Sequence, residues 1–206
     1  MPSIYDLKPA FQNLLRPLVR GLAHAGVTAN QVTLAAMALS FVTGAVIALN
    51  PTQTGSLLLL PLVMFLRMAL NAIDGMLARE HNQKSRLGAV LNELCDVLSD
   101  AALYLPLALV AGFGGKYGAA LIVVIVLLAT VSEMTGVLMQ TLGASRRYDG
   151  PMGKSDRAFI VGALGLAIGL GVPTGLWLTG VLVAVAVLLV FTIINRARRG
   201  LAEEIH

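Results

Sequence analysis

Apolar residues in this chain first keep to one face of a helix and then, after about two dozen positions, spread around every face. From Leu7 they recur at Phe11, Leu14, Leu15, Leu18 and Leu22, while Lys8, Gln12, Arg16 and Arg20 fall opposite. That spacing predicts an amphipathic helix over residues 4–24, lying in the headgroup layer of a membrane, with Pro9 and Pro17 starting or kinking it. Beyond it, six mostly apolar stretches predict spanning helices at about 29–49, 56–80, 86–112, 116–141, 156–170 and 174–195. Thr28 and Gln31 form a capping box ahead of the first, and Ser155 with Asp156 opens the fifth. Asn50-Pro51 and the Gly/Pro-broken run ASRRYDGPMGKS, residues 144–155, read as loops. Gly162, Gly165 and Gly169 share one side of the fifth helix, a close-packing face for a neighbouring helix of the same chain.

The pattern predicts an all-α integral membrane protein, and composition agrees: 57% of the 206 residues are apolar and the mean hydropathy is +0.81. The loop charges orient it. Lys8, Arg16, Arg20, Arg79, Lys84, Arg86, Arg146, Arg147, Lys154, Arg157, Arg196, Arg198 and Arg199 fall on the side of both termini, and only Lys116 on the other. The positive-inside rule then predicts a multi-pass protein of a bacterial-type inner membrane with both termini cytoplasmic. The net charge of +4 is scattered over short loops without an aromatic-rich basic patch, which argues against nucleic-acid binding. Cys95 is the sole cysteine, so an intrachain disulfide or a thiolate metal cluster is excluded, and it reads as a small buried hydrophobe. His24, His81 and His206 lack metal-ligand spacing. The first 25 residues carry Asp6, Lys8, Arg16, Arg20 and two prolines, unlike the apolar core of a cleaved signal peptide.

Charges within such apolar surroundings are expensive and usually mark function. They concentrate between Asn71 and Asp100. On helices, Asn71, Asp74 and Ala78 share one face, and Asn92, Asp96 and Asp100 share another, with a basic turn around Arg79, Lys84 and Arg86 between them. Arg67, one turn before Asn71, can reach the same polar face. Oxygen ligands converging beside an arginine suit a hard divalent cation holding a phosphate. Asn30 and Thr33 share a face at the mouth of the first spanning helix, where they either cap backbone or meet a ligand. Arg146, Arg147, Lys154 and Arg157 either serve orientation alone or attract an anionic substrate.

Asp74-Gly75, Ala78-Arg79, Gly88 and Asp96 resemble the motif of the CDP-alcohol phosphotransferase (CDP-alcohol phosphatidyltransferase) family: DxxDGxxAR, about eight residues, then GxxxDxxxD. The chain departs from that pattern at its first and third aspartates, here Asn71 and Asn92. The resemblance implies transfer of a phosphatidyl group from a CDP-diacylglycerol-like lipid to an acceptor alcohol, with release of CMP, in a homodimeric membrane enzyme. It implies that Asn30, Thr33, Asp74, Gly75, Ala78, Arg79 and Gly88 hold the CDP group and that Asp96 is the general base. Asn71, Asp74, Asn92 and Asp96 would ligate Mg2+ or Mn2+, with Asp100 as a substitute carboxylate one turn beyond Asp96. Four aspartates would balance two divalent ions, whereas Asp74 and Asp96 balance about one. Two other readings stand beside it: a binder of CDP-lipid or metal without turnover, and a small ion transporter using the same acids. The transporter leaves the glycine and arginine spacing unexplained.

Overall fold

The computed structural model describes residues 4–113 and 115–203, with side chains from Pro9 onward; Asp6, Leu7 and Lys8 as side chains, and His206, lie outside the described residues. Among the described residues seven α-helices succeed one another: α1 (Ile4–His24), α2 (Ala29–Leu49), α3 (Leu59–Glu80), α4 (Arg86–Tyr104), α5 (Gly118–Thr141), α6 (Lys154–Gly169) and α7 (Leu176–Leu201). Short 3-10 turns, Thr54–Leu58, Leu105–Leu109 and Gly115–Tyr117, precede α3, follow α4 and precede α5. Helix α2 packs between α3 and α4, α5 packs along α7, and α6 lies on α3. Leu60, Leu103, Tyr104, Leu107, Leu178 and Leu189 are buried along the middle of the bundle. A smaller apolar cluster of Val19, Ala29, Val32, Ile73, Met76 and Leu77 joins α1 to α2 and α3.

Among the described residues four segments are long and apolar enough to cross a membrane: Ala29–Leu49, Thr54–Glu80, Gly115–Thr141 and Leu176–Leu201. Helix α4 carries Arg86, Glu93, Asp96 and Asp100, and α6 has 16 residues. The elements differ from the expected bounds where local chemistry intervenes. Pro106 offers no N–H to the Ala102 carbonyl, so α4 stops at Tyr104 and tightens into a 3-10 turn instead of running to residue 112. The fifth spanning stretch begins two residues early because Asp156 accepts the Gly153 N–H at 2.9 Å, capping the helix from inside its first turn. Helix α7 continues through Arg196 to Leu201, its basic last turn suiting the negative end of the helix dipole. The Thr28–Gln31 capping box forms in both directions, at 2.9 and 3.3 Å.

Pro9 and Pro17 both lie inside α1. That helix is held on α3 by an edge-to-face pair, Phe11 with Phe65 at 6.2 Å, and by the ion pair Arg16–Glu80 at 3.1 Å. The glycine face of α6 does seat its own chain: a Cβ on Gly165 would come within 2.8 Å of the Leu57 carbonyl, and one on Gly169 within 2.7 Å of the Leu58 side chain. A closer approach joins α2 to α4, where the Gly44 Cα faces the carbonyl oxygen of Ala102, the one Pro106 leaves without its helical partner. The Cα–H groups of a glycine can meet such an oxygen and a methyl cannot. Gly44→Val is therefore expected to cost about 1–3 kcal/mol through overpacking, read as a fall in unfolding midpoint in detergent micelles. Gly180, with nothing within 4 Å of an added Cβ, is the matched control and should tolerate valine.

Candidate functional site

The turn between α3 and α4 sets the geometry of the polar centre. Asn82 takes the left-handed conformation, φ 55°, that asparagine tolerates, and Ser85 caps α4 by accepting the Gly88 N–H at 2.9 Å. Gln83 ties this turn to the start of α2, accepting from the Ala29 N–H at 2.6 Å and donating to the Val27 carbonyl at 3.3 Å. As a result three helix ends meet. Thr33 on α2 donates its hydroxyl to Asp74 on α3 at 2.7 Å. The position of an added Cβ on Gly88 lies 2.9 Å from Asn30 Oδ1, and that on Gly75 lies 3.1 Å from the Arg79 guanidinium. Asn30, Thr33, Asp74, Gly75, Arg79 and Gly88 thus form one cradle, with Arg79 exposed over the gap Gly75 leaves and Ala78 half-buried beside it.

Asp96, on α4, faces this cradle. Its Oδ1 meets the Lys154 ammonium of α6, takes an Asn71 amide N–H at 3.4 Å, and lies 3.8 Å from Arg67 Nη2. Asn71 is thereby brought to the site, and a half-turn of its amide would present the oxygen instead. Asn92 stands exposed one turn before Asp96. Among the described residues no trio of His, Cys, Asp or Glu gathers that could hold a metal. The donor set of Asp74, Asp96 and the amide oxygens of Asn71 and Asn92 nonetheless suits a hard cation, and the Lys154 ammonium is a cation already seated there.

Asp100 departs from expectation. It is buried, 5% exposed, and both its oxygens are taken: Oδ1 by Arg67 at 2.6 Å and Oδ2 by Arg157 at 2.8 Å. It is a counter-ion for two arginines rather than a spare metal ligand, because a position one turn further along the axis reaches the middle of the bundle. Arg157, expected to attract an acceptor, is only 2% exposed and bridges Asp100 to Glu133 at 3.0 Å. Arg67 reaches α4 rather than the α3 face, donating to the Asp96 carbonyl at 2.9 Å. Glu133 was not singled out by sequence reasoning, yet it gathers Arg146 at 3.0 Å, Arg157 at 3.0 Å and Arg196 at 3.2 Å from a loop and two helices. The available signal was its isolation as the one charge in α5. Cys95 is buried beside Asp96, as its size suggested.

Arg146 and Arg147 line an open cleft with Tyr148, Asp149 and Gly150. Arg146 also pairs with Glu93 at 2.9 Å and lies over the Tyr148 ring at 4.8 Å. Arg147 bridges Asp149 and Glu203, each at 2.7 Å, and the Ser145 N–H and hydroxyl donate to Glu203. Burial would raise the Asp149 carboxyl, but hydrogen bonds from Arg147 and Arg199 outweigh it and hold the group below its ordinary range. The Ser145 hydroxyl and N–H, then Arg147, lower Glu203 likewise. Groups depressed in this way stabilise the folded loop above the ordinary carboxylate range and lose that contribution as pH falls through the folded value. Amide protection of residues 144–153, measured against the intrinsic exchange rate at each pH, is expected to hold at neutral pH and to fall below about pH 4; protection unchanged down to about pH 2 would remove these carboxylates as the tether.

A sequence model of the CDP-alcohol phosphatidyltransferase family matches residues 26–194. The chain is 47% identical over 196 residues to inner membrane protein YnbA of Escherichia coli K12, covering 95% of each. It is 27% identical over 200 residues to a phosphatidylinositol phosphate synthase of Mycobacterium marinum, covering 93% of this chain and 80% of that one. Two crystal structures of the Mycobacterium tuberculosis phosphatidylinositol phosphate synthase share the fold. The complex with manganese and citrate gives a TM-score of 0.73 at 25% identity, covering 90% of this chain and 88% of that one. The form with CDP-DAG bound gives 0.74 at 24% identity, covering 89% and 92%. The apolar helices and these relatives make the chain a bacterial-type membrane protein of phospholipid biosynthesis, and the chain belongs to the CDP-alcohol phosphatidyltransferase family as an enzyme of that type.

Proposed function

We propose that the cradle of Asn30, Thr33, Asp74, Gly75, Ala78, Arg79 and Gly88 holds the CDP group of a CDP-diacylglycerol-like lipid, and that Asp96 deprotonates the acceptor alcohol. The observation that carries this reading is the meeting of three helix ends at Thr33, Asp74, Gly75 and Gly88 with the exposed Arg79 above them. Arg79 offers a planar fork to the pyrophosphate, and the bare Gly75 lets phosphate oxygens come close to α3. The acceptor oxygen bonds to the phosphorus of the phosphatidyl group as its proton passes to the Asp96 carboxylate. The bond from that phosphorus to the CMP oxygen breaks, and CMP departs with the electron pair. Asp74 and Asp96, with the oxygens of Asn71 and Asn92, would hold a divalent cation, Mg2+ or Mn2+. When bound, that ion would neutralise charge on the pyrophosphate and on the leaving oxygen.

The same reading orders the membrane. Helices α4 and α6 complete six crossings, their charges facing inward to the ion-pair network, and α1 lies along the cytoplasmic headgroups with Leu14 and Leu18 exposed. Both termini and the 144–153 loop then face the cytoplasm, the side from which nucleotide and metal arrive. The cleft of Arg146, Arg147 and Tyr148 suits an anionic acceptor alcohol such as a sugar or polyol phosphate. Two chains pair as a homodimer.

The test is incubation of purified protein with CDP-diacylglycerol and a panel of alcohols and alcohol phosphates, scoring CMP release with Mg2+, Mn2+ or chelator. Metal-dependent CMP release with one acceptor supports the reading; CDP-lipid binding without CMP release against every acceptor overturns it. For the cradle itself, Arg79→Ala is expected to weaken CDP-lipid binding by about 1.5–3 kcal/mol, the scale of a hydrogen bond to a charged group. Binding as tight as the parent's would remove Arg79 from the nucleotide site.

A further inference from the structure

The Asn71 and Asn92 amides leave the site with two fewer negative charges than the family pattern, and the structure shows what stands in the space. Lys154 is the first residue of α6, placed there by the Asp156–Gly153 cap. A cation is disfavoured at a helix N-terminus, where the unpaired N–H groups are themselves positive. This one is met by Asp96 from a different helix, and its side chain is only 32% exposed. Lys154, Asn71 and, at 3.8 Å, Arg67 all meet Oδ1 of the Asp96 carboxylate.

We propose that Lys154 is a resident cation of the site, taking at Asp96 the place of a second divalent ion. The inference rests on the metal-dependent reading above and specifies its stoichiometry. Asp74 and Asp96 carry two negative charges, and Lys154 cancels one. The remainder holds a single divalent ion weakly until the pyrophosphate of the CDP-lipid adds its own charge, so metal and nucleotide bind as a pair. Two carboxylates in place of Asn71 and Asn92 would call for a second divalent ion; two amides and a lysine do not. Lys154 is thus a positioning residue whose charge stands in for metal.

Calorimetric titration of the full chain in micelles with Mn2+ alone, without nucleotide, tests this on the parent, Lys154→Gln, Lys154→Arg and Lys116→Gln. Lys116 lies across the bundle from the site, before α5, and its substitution removes the same charge. Taking a unit charge from beside the ligands is expected to lower the Mn2+ Kd at least about tenfold in Lys154→Gln. Lys154→Arg and Lys116→Gln should bind as the parent does. A purely structural lysine would weaken or abolish Mn2+ binding when removed, so equal or weaker binding by Lys154→Gln, with its unfolding midpoint retained, overturns the proposal. Tenfold tightening in Lys116→Gln as well would assign the effect to net charge and overturn it too. Failure of the broader reading is seen separately, as absence of metal-dependent CMP release from the parent.

Discussion

Asp100→Ala is expected to destabilise the bundle by about 3–5 kcal/mol, the range for breaking a buried ion pair by removing one partner. Arg67 and Arg157, 3% and 2% exposed, would lose the carboxylate that holds each of them at 2.6 and 2.8 Å. Glu133 cannot replace it for both, since it already serves Arg146, Arg157 and Arg196. The expected readout is a large fall in the thermal midpoint in micelles. Asp100→Asn should fall between parent and alanine, because an amide still accepts hydrogen bonds but returns no charge. An unchanged midpoint in Asp100→Ala would show that water or Glu133 neutralises the arginines and would demote this network to a bystander. The triple change Asp100→Leu, Arg67→Met and Arg157→Leu should recover much of the loss, since a well-packed apolar set can equal a buried ion cluster.

Asp96→Asn is expected to lower turnover by about 10²–10⁴-fold, the usual contribution of a general base, while leaving the fold in place. The amide is isosteric, and the arginine that braces this part of α4 does so through the Asp96 carbonyl at 2.9 Å, which the substitution keeps. Unlike Asp100, Asp96 is half-exposed and its carboxylate faces the cradle, so its loss should appear in kcat rather than in the melting midpoint. CDP-lipid binding measured without acceptor and without divalent metal should change far less than metal-supported CMP release. If instead the substitution halved affinity and left turnover at the parental rate, the base would have to be sought elsewhere, with Asp74 the remaining carboxylate of the cradle.

The sequence by itself determined the helices and the polar centre. Periodicity located α1 and α2 within a residue or two, and the glycine row of α6 announced a same-chain packing face that Leu57 and Leu58 fill. Helical spacing put Asp74 and Asp96 among the candidates, with Arg79 in the basic turn between them, and the resemblance to the family motif added Gly75 and Gly88. Helix ends were less legible: Pro106 shortened α4 by withholding one backbone hydrogen bond, and the Asp156 carboxylate moved the start of α6 to Lys154 by accepting one from the Gly153 N–H. Tertiary structure alone decided which charges are free. Arg157 and Lys154 look in sequence like parts of an acceptor site, and Asp100 like a metal ligand. An ion pair is a property of two side chains brought together from distant positions, and linear spacing on one helix carries no information about the partner's. Only the packing of α3, α4, α5 and α6 set Arg157 against Asp100 and Glu133, and Lys154 against Asp96. The physical reason is the low-dielectric interior, where a charge without its counter-ion is so costly that the fold, not the loop composition, assigns every pairing.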